Sequence, residues 1–212
     1  MPLCEVTLHL LGGLFLLALL AVQHEAYRAR PVALAHGLRR AAVLALVLLV
    51  VQIALGGWVS TNYAVLACSG FPQCNGQWWP TMDIANGFTL LRERGQTGDG
   101  GYLTLQALVA IQMAHRLFAM VVACMLAWVA LRLVRSGGAA ASRFGWAIVV
   151  LLLLAQLGSG LSNVVLGWPL VAALAHSAGA AALVLMLTML LARTAPRWQA
   201  RPPRPSGTAV PA

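Results

Sequence analysis

The 212-residue chain is 60% hydrophobic and only 9% charged, whereas about a quarter of the residues of a soluble domain carry charge, so the solvent for most of it is lipid. All 14 basic residues are Arg, set against five acids (Glu5, Glu25, Asp83, Glu93 and Asp99), for a net charge of +9. No basic patch interleaved with aromatics accompanies that charge, so no nucleic-acid partner is expected.

Backbone groups in lipid must bond internally, so each run of roughly 20 apolar residues predicts a helix. The first run, Val6 to Val22, has no Lys or Arg before it and reads as a retained span, not a cleaved signal peptide. Four more follow at Ala41 to Val59, Leu103 to Val134, Phe144 to Leu166 and Leu170 to Leu191. The third is long enough to tilt strongly or to project beyond the hydrocarbon. The expected fold class is all-α, a polytopic membrane bundle of about five transmembrane helices, with no Asp or Glu inside any predicted span.

Short cytoplasmic loops are enriched in Arg. Arg28, Arg30, Arg39 and Arg40 fall between spans one and two, Arg132, Arg135 and Arg143 around the connection of three and four, and Arg193, Arg197, Arg201 and Arg204 at the end. Only Arg92 and Arg94 lie in the loop on the other side. The N-terminus is therefore expected outside and the C-terminus inside, with spans one, three and five running inward. His24 and His36 fall in the first cytoplasmic loop, where a solvated or headgroup-facing role is expected.

The loop from Ser60 to Tyr102 is then the one sizeable outer segment, and its Gly, Pro, Asn and Trp content predicts a folded cap, with Trp78 and Trp79 in the interfacial belt. Cys68 and Cys74 enclose five residues of it. A structural staple closed by oxidising conditions and a redox-active pair both remain open, although the spacing is not that of a thioredoxin-type motif. Cys4 and Cys124 lie in or beside apolar runs and read as packed thiols. The end of the chain, with Pro at 196, 202, 203, 205 and 211, has the composition of a disordered tail.

Each inward span carries one His toward its outer half: His9 in LHLLGG, His115 in AHRLFA and His176 in AHSAGA. The outward spans share another pattern, Gln52 before Gly56, Gly57 and Ser60, and Gln156 before Gly158, Gly160, Ser162 and Asn163, whose small residues let helices pack closely. A lone intramembrane His serves as well for a structural hydrogen bond. Three at a similar depth point to a site, and neutral imidazoles on facing helices suit the axial positions of haem iron. Zinc would call for four clustered ligands and a proton relay for intramembrane carboxylates. Neither set is present. Arg116, beside His115, either snorkels to the interface or pairs with an anion such as a haem propionate.

The runs GGWVSTNYAVLACSGFPQCNGQWWP, AHRLFA and LSNVVLGWPLVAALAHSAGA together resemble the haem A synthase family of cytochrome oxidase assembly, most closely its proteobacterial branch, and TLHLLGGLFLLALL is similar to the family's fourth span. The resemblance extends to about Leu191. It implies an oxidoreductase of the bacterial inner membrane that converts the methyl group of haem O to the formyl group of haem A. It further implies haem b as cofactor, with His115 and His176 as its axial ligands, His9 as the ligand toward the substrate haem, and Cys68 and Cys74 as the outer-loop pair.

In the family, eight helices form two four-helix halves. Residues 1–40 therefore correspond to the last span of the first half with its cytoplasmic loop, 41–191 to the haem-b-binding half with outer loop 60–102, and 192–212 to the tail. The family's first three spans have no counterpart, so the chain reads as a shortened member. A haem-b electron-transfer module without synthase activity of its own stands as the alternative. Expected partners are haem O, the bilayer, haem O synthase or oxidase assembly factors, and further copies of the chain.

Overall fold

A computed structural model describes residues 3–28, 30–93, 95–136 and 138–194. The expected disordered tail lies outside the described residues from 195 onward. Among the described residues five helices are long and apolar enough to cross a membrane, in agreement with the five predicted runs. They are α1 (Leu3–Arg28), α2 (His36–Thr61), α4 (Leu105–Arg135), a span built of α5 (Ala139–Val150), a π-helix (Leu151–Gly158) and α6 (Ser159–Val165), and α7 (Leu170–Arg193). A short α3 (Ile84–Gly87) lies in the loop between α2 and α4.

The helices outrun the apolar stretches that predict them. A helix satisfies its own backbone through the interface and has no need to stop at the first polar residue. So α1 continues six residues past Val22 and α2 begins at His36. His24 is therefore helical and His36 opens a helix, which corrects their placement in the loop. Glu5 and Glu25 both lie within α1, which corrects the expectation that no acid falls inside a span. At 31 residues α4 is the longest helix, about 46 Å at 1.5 Å per residue, against a hydrocarbon thickness of about 30 Å.

Four spans close a ring in which α2 packs on α4, α4 on α5, the π-helix on α7, and α7 back on α2. Their shared core contains Leu49 and Ile53 from α2, Leu126 and Leu133 from α4, Ile148 from α5, and Leu187 from α7. Fully buried Ala42, Ala45 and Ala130 bring the backbones close, the usual packing device in lipid. Helix α1 leans on α7 and α2 from outside this ring and leaves Leu8, Phe15, Leu16 and Leu20 exposed. Its basal end is fixed by an ion pair, in which Arg193 Nε and Nη2 donate to the two oxygens of Glu25 at 2.7 and 2.8 Å.

The segment between α2 and α4 folds over one end of the ring. Trp58 Nε1 donates to the Gly87 carbonyl at 2.9 Å, and Arg92, only 6% exposed, stacks over the Trp58 ring. The same guanidinium donates to Asn62 Oδ1 at 2.6 Å and to the Gln96 carbonyl at 2.9 Å. Burial lowers the Arg92 pKa. Asp83 caps α3 by accepting from Asn86. Trp78 and Trp79 remain exposed.

Candidate functional site

His115 stands on α4 and His176 on α7, diagonal members of the ring, at about 15 and 9 Å from the starts of their helices by residue count. Both are partly buried. Each is served by the helix next to it, and the two arrangements match. On α2, Gln52 Nε2 donates to the His115 carbonyl at 3.3 Å, and Gly56, four residues on, faces the ring so closely that a Cβ there would lie 3.1 Å from its Cε1. Across the ring, Gln156 Nε2 donates to the His176 carbonyl at 2.9 Å. Four residues on, a Cβ at Gly160 would lie 3.1 Å from the Cε1 of His176.

The shared Gln-x-x-x-Gly spacing explains this symmetry, since residues four apart lie on one helix face. The sequence shows the pattern, but it gives no sign that the glutamines hold the histidine backbones. Nor does it announce the π-helix that carries Gln156, a distortion frequent at functional sites.

The ring nitrogens differ between the halves. Ser159 Oγ lies 3.1 Å from Nδ1 of His176 and acts toward the ring as an acceptor when its own proton goes to the Ala155 carbonyl. Nδ1 then carries the proton and Nε2 presents a lone pair, the state a metal-ligating imidazole requires. At His115 the Gln52 amide nitrogen lies 3.0 Å from Nδ1 and 3.3 Å from Nε2. Iron at Nε2 requires the amide to turn its Oε1 toward Nδ1, and that oxygen is buried without a hydrogen-bond partner. The residues therefore fit haem ligation directly at His176 and with one side-chain rotation at His115. Among the described residues no group of three His, Cys, Asp or Glu is placed to hold a metal ion; axial ligation of haem asks only two of the protein.

Arg116 neither snorkels freely nor points to open space. Its Nη groups donate to the Cys68, Gly70 and Gln73 carbonyls at 3.2 to 3.4 Å, and Nε is buried without a partner. Cys68 and Cys74 are joined through their sulfurs, with Cα atoms 4.6 Å apart. Both are buried against Val109 and Met113 of α4, within two turns of His115. Asn75 closes the small ring by accepting from Ser69 and donating to the Ala67 carbonyl. His9 stands apart, exposed on α1, with no described residue hydrogen-bonded to its ring. The structure thus gathers His115, Arg116 and the cysteine loop, places His176 across the bundle, and leaves His9 outside.

The cytochrome oxidase assembly protein family matches residues 3–188. The chain belongs to the haem A synthase family. It is 37% identical to the haem A synthase of Shewanella oneidensis over 186 residues, which cover 86% of this chain and 56% of that protein. Against the haem A synthase of Methylorubrum extorquens it is 32% identical over 212 residues, 98% of this chain and 52% of the relative. The protein of the same name from Methylobacterium radiotolerans is 35% identical over 72% of this chain and 39% of its own length. The chain thus spans about half the length of the curated relatives it matches. No solved structure matches it. As a haem A synthase family member with five apolar helices it is a multi-pass membrane protein.

Proposed function

We propose that residues 41–191 form the haem-b-binding half of a haem A synthase, with His115 and His176 as axial ligands, and that the assembled enzyme oxidises the methyl group of haem O to the formyl group of haem A. The observation that carries this reading is the matched pair of sites, each with a glutamine beside the histidine and, four residues on, a glycine against its ring. Such duplication suits one cofactor gripped from two sides.

Bound there, haem b supplies one-electron transfer. The chain's own residues have three tasks. Ser159 keeps Nδ1 of His176 protonated, the two glycines leave room for the imidazoles, and Arg116 presents its buried Nε to a propionate while holding the cysteine loop over His115. His9 would belong to the substrate haem, and its exposed position on α1 leaves it open to further family elements. The Arg distribution supports an N-terminus outside, a C-terminus inside and the cap of residues 60–102 on the outer face of the bacterial inner membrane. Haem O synthase, oxidase assembly factors and further copies of the chain are the proposed partners.

A second reading, an electron-transfer module with no synthase activity of its own, is favoured by one observation. Both histidines with supporting residues lie in 41–191, while His9 has none among the described residues. The test is a reduced pyridine haemochrome spectrum of the detergent-purified chain from cells able to make haem O, beside its His115→Ala, His176→Ala and His9→Ala forms. Haem b is expected in the parent and in the His9 variant and lost in the other two. Equal loss in all three would overturn the ligand assignment. Haem A in the product distinguishes the synthase from the electron-transfer module.

A further inference from the structure

At the end of the bundle remote from the histidines, α5 and α7 part to leave an open cleft of about 270 Å³. One wall is the α5 face made by Ala140, Arg143, Phe144 and Ala147, spaced three and four apart. The other is the matching stripe of α7, Met186, Met189 and Arg193. We propose that this cleft binds an anionic phospholipid, its phosphate between the two guanidinium groups and an acyl chain along the methionines.

Arg193 is set in place before any ligand arrives. Glu25 holds its Nε and Nη2, its guanidinium stacks 5.2 Å over the Phe144 ring, and Nη1 has no hydrogen-bond partner among the described residues. Arg143 is exposed, and the one ion pair among the described residues is that of Arg193 with Glu25. Glu25 cancels the charge of Arg193, so the cleft keeps the single positive charge of Arg143. Guanidinium groups match phosphate oxygens in geometry as well as charge. The apolar remainder of the cleft offers a phosphate nothing but suits a hydrocarbon tail, and methionines adapt to its shape.

The position is right for a lipid. Arg143 lies in the second turn of α5 and Arg193 in the last turn of α7, at the same end of the bundle as the last turn of α4 with Arg132 and Arg135. Basic pockets between transmembrane helices at such a level bind anionic headgroups. A zwitterionic lipid brings its own ammonium, which repels Arg143, so a net negative headgroup is selected.

Native mass spectrometry of the full chain in detergent tests this, with phosphatidylglycerol and phosphatidylethanolamine of identical acyl chains titrated separately. Phosphatidylglycerol should be retained at about fivefold lower concentration, the effect of one basic residue near a membrane surface. Arg143→Gln should abolish that preference and Arg135→Gln, outside the cleft, should leave it intact. Ala147→Phe, which fills the cleft and keeps every charge, should also lose the lipid. Equal retention of the two lipids by the parent, equal effects of Arg143→Gln and Arg135→Gln, or full retention by Ala147→Phe would each overturn the proposal. So would displacement of phosphatidylglycerol by inorganic phosphate at equal concentration, which would make this a free-anion site.

Discussion

Ser159 Oγ stands 3.1 Å from Nδ1 of His176 across the α6 to α7 contact, placed to accept from the ring when its own proton goes to the Ala155 carbonyl. An acceptor on Nδ1–H raises the basicity of the opposite nitrogen. With His176 ligating haem b as proposed, Ser159→Ala is expected to retain the haem but to raise its midpoint potential, since the imidazole would be a weaker donor. Ser159→Thr should restore the parental value. A potential unchanged in the alanine variant would show that something other than Ser159 fixes the tautomer.

The glycines facing the rings predict a steric effect of the same sign at both sites. A Cβ at Gly56 or Gly160 would stand 3.1 Å from a histidine Cε1, closer than ordinary carbon contacts of about 3.5 to 4.0 Å. Either alanine variant should lower the haem-to-protein ratio in the haemochrome assay, and either valine variant should lower it further. Alanine at Gly37, which meets nothing within 4 Å, should not. Full haem content in Gly160→Val would mean that His176 does not carry the cofactor.

Arg116 binds the cysteine loop through three carbonyls, those of Cys68, Gly70 and Gln73. Hydrogen bonds to charged groups contribute about 1.5 to 3 kcal/mol in good geometry, and bonds of 3.2 to 3.4 Å sit at the weak edge of that geometry. Arg116→Gln should consequently raise hydrogen exchange in residues 68–75 without unfolding α4. Cys68→Ser should raise it further. Haem content preserved in Cys68→Ser would favour a stapling role for the pair over a redox one, since a staple acts first on the loop.

The five spans were legible because hydropathy over 20 residues is a strong local signal, and the three histidines because an intramembrane imidazole is rare. What the sequence concealed were relationships made by packing. The Gln-x-x-x-Gly repeat is visible, but the bond from Gln156 to the His176 carbonyl depends on α6 and the π-helix lying against α7. Glu25 looks like a loop acid until α1 is seen to continue to Arg28, and its partner Arg193 lies 168 residues away. Arg92 looks like an exception to charge bias, yet it is a buried organiser of the cap, stacked on Trp58 and bonded to Asn62.

The cap has its own pH response. Bonds from the Asn86 side chain and backbone hold the Asp83 carboxyl below its ordinary value of 3.8, and the Thr97 hydroxyl does the same for Asp99. A carboxyl depressed in the folded state stabilises fully above its unfolded value, and that stabilisation is lost as pH falls through the lower folded value. Hydrogen exchange in residues 83–103, corrected for the intrinsic rate, should therefore rise below pH 3.8 before it rises in the core helices. Asp83→Asn, which keeps a good helix cap, should flatten that acid limb. An acid limb of unchanged steepness would assign the response to other groups.

Glu25 is 1% exposed and binds Arg193 through both carboxylate oxygens, so α1 is tied to the four-helix ring by a buried charge pair. Removing one partner of such a pair leaves an uncompensated charge and costs about 3 to 5 kcal/mol, whereas replacing both by apolar residues is often neutral or stabilising. Arg193 retains 16% exposure, which places the expected loss at the lower end for Glu25→Leu. Glu25→Leu, which strands a guanidinium able to reach water and the lipid headgroups, should cost less than Arg193→Leu, which strands a carboxylate with no solvent contact. Thermal unfolding in detergent of the two single variants and the double variant measures the coupling directly. Recovery of stability in the double variant would show that the single-variant losses come from the stranded partner; additive losses would show that Glu25 and Arg193 act independently.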